Sequence, residues 1–292
     1  MPIDRRTFLG QMAAGLVVSA SPEAFAAQQG RIERVGMQLY TARAEMEKDF
    51  EGTLARVAGI GYKEVEFAGY FNRTPAQVRT VLERHGLTAP STHIDFATIS
   101  TRLPETIEAS RTIGHQFIVL PWLDETLRKD PDIWKKVADT LNKAGEAAKG
   151  AGIQMAYHNH HFEFLPVGGR MPYDMLLEMC DPALVKMELD LCWVTAAGQD
   201  PLAYFEKHPG RFPMVHVKGL RKRPVAGAAT PIEQVMPDLT DVGTDGDLID
   251  WARIFARSSQ AGLKHYFVEH DQPKGAFDSL AKSFKYVQSL RF

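Results

Sequence analysis

Residues 130–158 read DPDIWKKVADTLNKAGEAAKGAGIQMAYH. An amphipathic stretch from Asp130 to Ala151 predicts a helix, Gly152 stands where a left-handed cap is needed, and Gln154–His158 predicts a short buried strand. This helix, glycine, strand unit repeats along the chain. Strands are expected at Val35–Tyr40, Glu64–Phe67, Thr88–His93, Phe117–Leu120, Val185–Leu189, Met214–Val217 and Tyr266–Val268. Helices are expected at Phe50–Ala58, Pro75–His85, Leu103–Ile113, Tyr173–Met179, Pro201–His208, Trp251–Ala261 and Phe277–Leu290. Gly61, Gly86, Gly114 and Gly262 repeat the position of Gly152. A doubly wound open sheet has the same local rhythm, but eight strand–helix units in one uninterrupted domain favour a (β/α)8 barrel, an α/β fold.

Composition agrees with a globular chain: 292 residues, 45% hydrophobic, 24% charged. A formal net charge of −2 removes the electrostatic case for a nucleic-acid binder. Only two cysteines are present, Cys180 and Cys192, too few for a disulfide framework or a cysteine-built zinc site. Whether they pair is left open by the sequence.

The start of the chain predicts an address. Arg5-Arg6 precede Thr7-Phe8-Leu9, and the apolar run from Leu9 to Ala20 is too short to span a bilayer, which needs ~20 residues. Ala24-Phe25-Ala26 is a small-x-small site, so residues 1–26 are expected to be a signal peptide cleaved after Ala26, with residues 27–292 as the single folded domain. The arginine pair resembles a twin-arginine export signal, which implies the export machinery as a partner and a periplasmic or exported enzyme. Asp4 departs from the Ser or Thr more usual at its position.

In a (β/α)8 barrel the active site lies at the C-terminal ends of the strands. Those ends carry Gln38 and Tyr40, then Glu66, His93, Asp95 and Trp122. They continue with the run His158-Asn159-His160-His161-Phe162-Glu163, with Glu188, Asp190 and Trp193, with His216 and Lys218, and with Glu269, His270 and Asp271. Ionised groups are rarely gathered in this way without partners or a metal. Asp190, His216 and Glu269, from strands six, seven and eight, offer two oxygen ligands and one nitrogen ligand. That set suits one divalent ion such as manganese, zinc, cobalt or iron rather than calcium. A fourth ligand is expected from strand five, where alternation turns His158 and His160 the same way and Asn159 away. Lys218 is a candidate for polarising an oxygen or for pairing with Glu188. Gln38, Glu66 and His93 are candidate substrate contacts. Trp122, Trp193, Tyr40 and Phe67 are candidate floor for a sugar ring. Gly243-Thr244-Asp245-Gly246 carries an acidic residue that disfavours phosphate, so a non-phosphorylated sugar or polyol is expected.

The segments Tyr157–Phe164, Glu188–Trp193, His216–Gly219 and Val268–Asp271 resemble the sugar phosphate isomerase/epimerase family with the xylose isomerase-like barrel. Gly36–Tyr40 and Val242–Trp251 support the resemblance, which covers nearly all of the mature chain. It implies one divalent metal held by a strand-five carboxylate and by residues matching Asp190, His216 and Glu269. His158 stands where many epimerases have Glu, and Glu163 lies five residues later. The fourth ligand is therefore His158 first or Glu163 second, with His160 as a substrate contact or acid/base group and no role for His161.

The activity expected first is isomerisation or epimerisation of a keto-sugar through an enediolate, with Glu269 as ligand and base. Elimination of a β-leaving group from a keto-sugar or inosose is the alternative, favoured by the asymmetry between Glu269 and the histidines. A periplasmic sugar-binding protein and an apurinic-endonuclease-like nuclease are the further readings from other classes.

Overall fold

The computed structural model describes residues 30–130, 132–223, 232–244 and 246–292. The arginine pair, the apolar run and the expected cleavage site lie outside them, as does Asp245 of the Gly243–Gly246 loop. Within Arg31–Phe292 eight parallel strands close into a barrel: β1 Gly36–Gln38, β2 Glu64–Phe67, β3 Thr88–His93, β4 Phe117–Leu120, β5 Gln154–His158, β6 Val185–Asp190, β7 Met214–Val217 and β8 His265–Val268. Each pairs with its neighbours in chain order, and β8 closes on β1. A two-stranded antiparallel ribbon, Gly219–Leu220 with Leu239–Thr240, rises beyond β7.

The glycine-terminated helices form as expected, with Gly61, Gly86, Gly114, Gly152 and Gly262 all at positive φ. The helix Ile133–Lys149 shows why these helices lie on the barrel. Ile133, Trp134, Val137, Ala138, Leu141, Ala144 and Ala148 form one buried stripe at helical spacing. Gly145 sits on the same face, where an added Cβ would come within 2.8 Å of the Leu184 carbonyl oxygen.

Several expected boundaries shift. β1 ends at Gln38, whose side-chain carbonyl accepts the Tyr40 N–H at 3.0 Å and starts a 3₁₀ turn over Leu39–Ala42. β6 extends to Asp190. The helix expected over Trp251–Ala261 divides into Trp251–Phe255 and Ser258–Ala261, because the Ser258 hydroxyl donates to the Phe255 carbonyl at 2.6 Å.

The lumen is layered. Phe117, Val119, Ala156, Met214 and Phe267 form an apolar layer. Alternation then points His158, two residues above Ala156, and His216, two above Met214, into the next layer up. Below the apolar layer, Glu64 accepts from His265 Nδ1 at 2.7 Å and from Arg34 Nε at 3.0 Å. An ion pair therefore closes the N-terminal end of the barrel while the C-terminal end stays open.

Candidate metal centre and active site

Strand register decides which ends meet. Asp190 on β6 pairs beside His216 on β7, and Val268 on β8 pairs beside Val217, so Glu269 emerges one residue above. On β5, His158 pairs beside Glu188. His158, Asp190, His216 and Glu269 each offer one donor atom, and all four atoms lie within 4.8 Å of one another. Asp190 is also the N-cap of the helix Leu191–Ala196. Its Oδ1 accepts the Trp193 N–H at 2.8 Å, which leaves Oδ2 facing the group. The Asp190 N–H in turn donates to Asn159 Oδ1 at 3.1 Å, so the residue expected to turn away ties β5 to β6.

These residues fit a divalent metal. Burial and the neighbouring His216 push His158 down to about 4, so its imidazole is neutral, and its Nε2 has no hydrogen-bond partner among the described residues. Two nitrogen and two oxygen donors suit the borderline metals expected above. Burial alone would raise Glu269, but Lys218 and His216 outweigh it and hold the carboxyl well below the usual range. It is ionised as a ligand must be.

Lys218 is fully buried among carboxylates, with Nζ at 2.7 Å from Glu269, 2.7 Å from Asp271 and 3.2 Å from Asp190. The pairing with Glu188 expected as one option does not occur. Burial disfavours the ammonium, but Asp190, Asp271 and Glu269 hold it charged, its pKa well above the ordinary value. Asp271 is pushed up to about 6 by burial, against the opposing pull of Lys218.

Beneath this group lies a second. Glu66, His93, Glu188 and His216 also bring donor atoms within 4.8 Å of one another. His93 Nε2 lies 2.9 Å from Glu66 and 3.0 Å from Glu188, while Gln38 Nε2 and the Ser91 hydroxyl donate to Glu66. Gln38 and Glu66 are thus a buried layer under the cavity, and His93 alone of these three reaches its wall.

The cavity, about 870 Å³, opens over both groups and is lined at the mouth by His93, Trp122, His158, His160, Glu269 and Asp271. His160 stands on its wall between Trp122, at 4.7 Å centroid distance, and Trp193, at 5.7 Å. Burial, then His158 and Lys218, push its imidazole well below the usual value, and Nδ1 has no hydrogen-bond partner among the described residues. Trp193 lies buried behind His160, with Lys218 Nζ 5.0 Å from its ring centre.

Two expectations are corrected. Glu163 does not join the ligand group; its carboxylate turns away from the cavity, accepting the Tyr157 hydroxyl at 2.7 Å and the His160 N–H at 2.8 Å. Tyr157 faces the outer layer, 6.5 Å from Trp134 between ring centres, so Glu163 shapes the loop from behind. Phe67 is no floor for a ring, because alternation from Glu66 turns it outward, where it lies 6.3 Å from Phe50 and 5.4 Å from Tyr70 between ring centres. His161 is buried against Trp193, 5.5 Å between ring centres. Tyr40 stands on the rim, 42% exposed, under the Arg43 guanidinium. Cys180 and Cys192 are both free and buried.

Asp271 is the site residue to which the sequence reading assigned no role. Its signal was its place in the run Glu269-His270-Asp271 just past the end of β8.

Residues 54–289 match the family described as xylose isomerase-like TIM barrel. The chain belongs to that family. An inosose dehydratase from Bacillus cereus is 23% identical over 269 residues, covering 84% of this chain and 88% of its own. A sugar phosphate isomerase/epimerase from Parabacteroides distasonis superposes with a TM-score of 0.71 at 24% identity, covering 91% of this chain and 98% of that one. The IolI protein, solved with a zinc atom bound, superposes with a TM-score of 0.67 at 15% identity, covering 88% and 98%. This xylose isomerase-like TIM-barrel protein is an enzyme of the sugar isomerase, epimerase or related lyase kind.

Proposed function

We propose that the protein is a divalent-metal-dependent lyase that eliminates water from a keto-polyol, an inosose or a keto-sugar. The observation that carries this reading is the unlike pair flanking the cavity. On one side is His160, neutral and with a free ring nitrogen; on the other are Asp271 and Glu269, gathered around Lys218. Reversible epimerisation at one carbon is served by two similar bases on opposite faces, whereas elimination needs a base at one carbon and an acid at the next. The inosose dehydratase relatives support the same choice over isomerisation.

His158, Asp190, His216 and Glu269 would hold the ion. When bound, it polarises a carbonyl and the neighbouring hydroxyl and so acidifies the adjacent C–H bond. His160, whose ring lines the cavity, accepts that proton. Glu269 serves as ligand. Asp271, with a pKa of about 6, donates a proton to the departing hydroxyl, and the buried Lys218 ammonium holds Asp271 and Glu269 in place from behind. Trp122 gives the ring an apolar face.

Incubation with an inosose, followed by the ultraviolet absorbance of the conjugated enone, tests this. His160→Gln should lower the elimination rate by roughly 10²–10⁴-fold with metal content intact. Formation of an isomeric ketone in place of the enone would establish isomerisation instead.

We also propose export through the twin-arginine route, supported by Arg5-Arg6 and the short apolar run after them. Normal periplasmic accumulation of the Arg5→Lys, Arg6→Lys double variant would reject it.

A further inference from the structure

Three residues past His160 a carboxylate is buried outside the cavity. Glu163 is fully buried, with Oε1 accepting the Tyr157 hydroxyl at 2.7 Å and Oε2 accepting the His160 N–H at 2.8 Å. Burial raises its carboxyl to about 7. The Arg128 guanidinium opposes that rise less than the hydrogen bonds do, and it lies on the rings of Phe162 and Trp122, 3.7 and 4.8 Å from their centres. A turn that needed only to close would be served by a neutral side chain, because a buried carboxyl with a raised pKa lowers stability at neutral pH. What this carboxylate supplies is a link between two fixed points.

One end of the link is anchored in the outer layer. Tyr157 is fully buried on β5, with its ring 6.5 Å from that of Trp134 on the helix Ile133–Lys149. The other end is the His160 peptide, whose carbonyl accepts from Asn159 Nδ2 at 3.4 Å. Asn159 Oδ1 at the same time accepts the N–H of the ligand Asp190. The 3₁₀ turn Phe162–Phe164 that turns Glu163 inward also sets Phe162 parallel to the His160 ring, 6° between planes and 5.5 Å between centres. His160 is thus held at its N–H, at its carbonyl and on one ring face.

We propose that Glu163 is a positioning residue: by tying the His160 peptide to Tyr157, it sets the distance and angle at which the His160 ring faces the substrate. It touches no reacting atom. The role of His160 as base rests on the lyase reading above; the tie does not. A phenol both donates and accepts, so a protonated Glu163, or a glutamine there, donates to the Tyr157 oxygen while its carbonyl keeps the His160 N–H. The tie therefore survives loss of the charge. Proton transfer is far less tolerant of displacement, since a misplacement of about 1 Å lowers a rate by up to roughly 100-fold.

The test pairs a readout without substrate with one that needs it. The His160 imidazole signal in the carbon–proton correlation NMR spectrum, assigned with His160→Gln, reports the surroundings of the ring. Glu163→Leu is similar in size and has no acceptor. It should move that signal and lower kcat for inosose dehydration by up to roughly 100-fold, with KM and metal content unchanged. Glu163→Gln should restore the signal and most of kcat. Tyr157→Phe releases the anchored end alone; it should move the signal in the same direction, and it carries the test should the leucine variant fail to fold. A His160 signal unmoved by whichever of these variants folds would overturn the proposal. So would a glutamine variant as impaired as the leucine one, because the charge and not the tie would then be at work. Lower stability alone, with signal and kcat intact, would leave Glu163 a structural residue and overturn the proposal equally. A wild type that forms no enone would remove the lyase reading, and the NMR comparison would still decide the tie.

Discussion

Glu66 Oε1 lies 2.9 Å from Nε2 of His216, the ring whose Nδ1 lies 2.9 Å from Glu269. His216 therefore joins the buried lower layer to the upper ligand group. Glu66 is itself fixed by Gln38 and Ser91, so it sets both the orientation and the tautomer with which His216 faces the ligand position.

Glu66→Gln is therefore expected to weaken divalent metal binding by about 10–100-fold while the barrel stays folded. Competition against a chelator of known affinity measures it. Unchanged affinity would mean that His216 needs no support from below.

Lys218 makes a prediction of opposite character. It is the ammonium among Asp190, Glu269 and Asp271, and Lys218→Met leaves three buried carboxylates without it. Removing one partner of a buried ion pair typically costs ~3–5 kcal/mol. The variant should melt well below the wild type without added metal and should gain more stability than the wild type when a divalent ion is supplied. Equal gains in the two proteins would separate Lys218 from the metal group.

Glu163 predicts a pH dependence. Burial raises its carboxyl from the usual 4.5 to about 7, against the hydrogen bonds from Tyr157 and the loop backbone. Between those values the folded chain holds a proton that the unfolded chain has released, so Glu163 makes stability fall as pH rises from about 4.5 to about 7. The shift corresponds to on the order of 3 kcal/mol. Denaturant unfolding of Glu163→Gln should show a shallower decline over that interval than the wild type. Parallel profiles would contradict the assignment.

The barrel was legible because each strand–helix unit carries its own local signal, with Gly114 and Gly152 stopping helices where strands begin. Asp190, His216 and Glu269 were legible for a related reason: in this fold the end of a strand is already an address. What could not be read depended on side-chain direction after a strand ends. Glu163 lies within the 3₁₀ turn Phe162–Phe164, which bends its carboxylate back toward Tyr157, and alternation says nothing about a turn. The partners of Lys218 were hidden likewise. Choosing Asp271 over Glu188 requires the relative height of β6, β7 and β8, which only the barrel's register supplies. The sharing of His216 between two layers follows from contacts across the lumen, at sequence separations of 150 and 53 residues.

The central claim is that a metal held by His158, Asp190, His216 and Glu269 makes possible proton removal from a ketone substrate, followed by elimination. Nuclear magnetic resonance of an inosose incubated in deuterated water follows both steps at once. The metal-loaded protein should exchange the hydrogen beside the carbonyl and form the enone, and both signals should vanish after chelation and return when a divalent ion is restored. Enone formation that continues at the same rate after the metal has been removed would contradict the account.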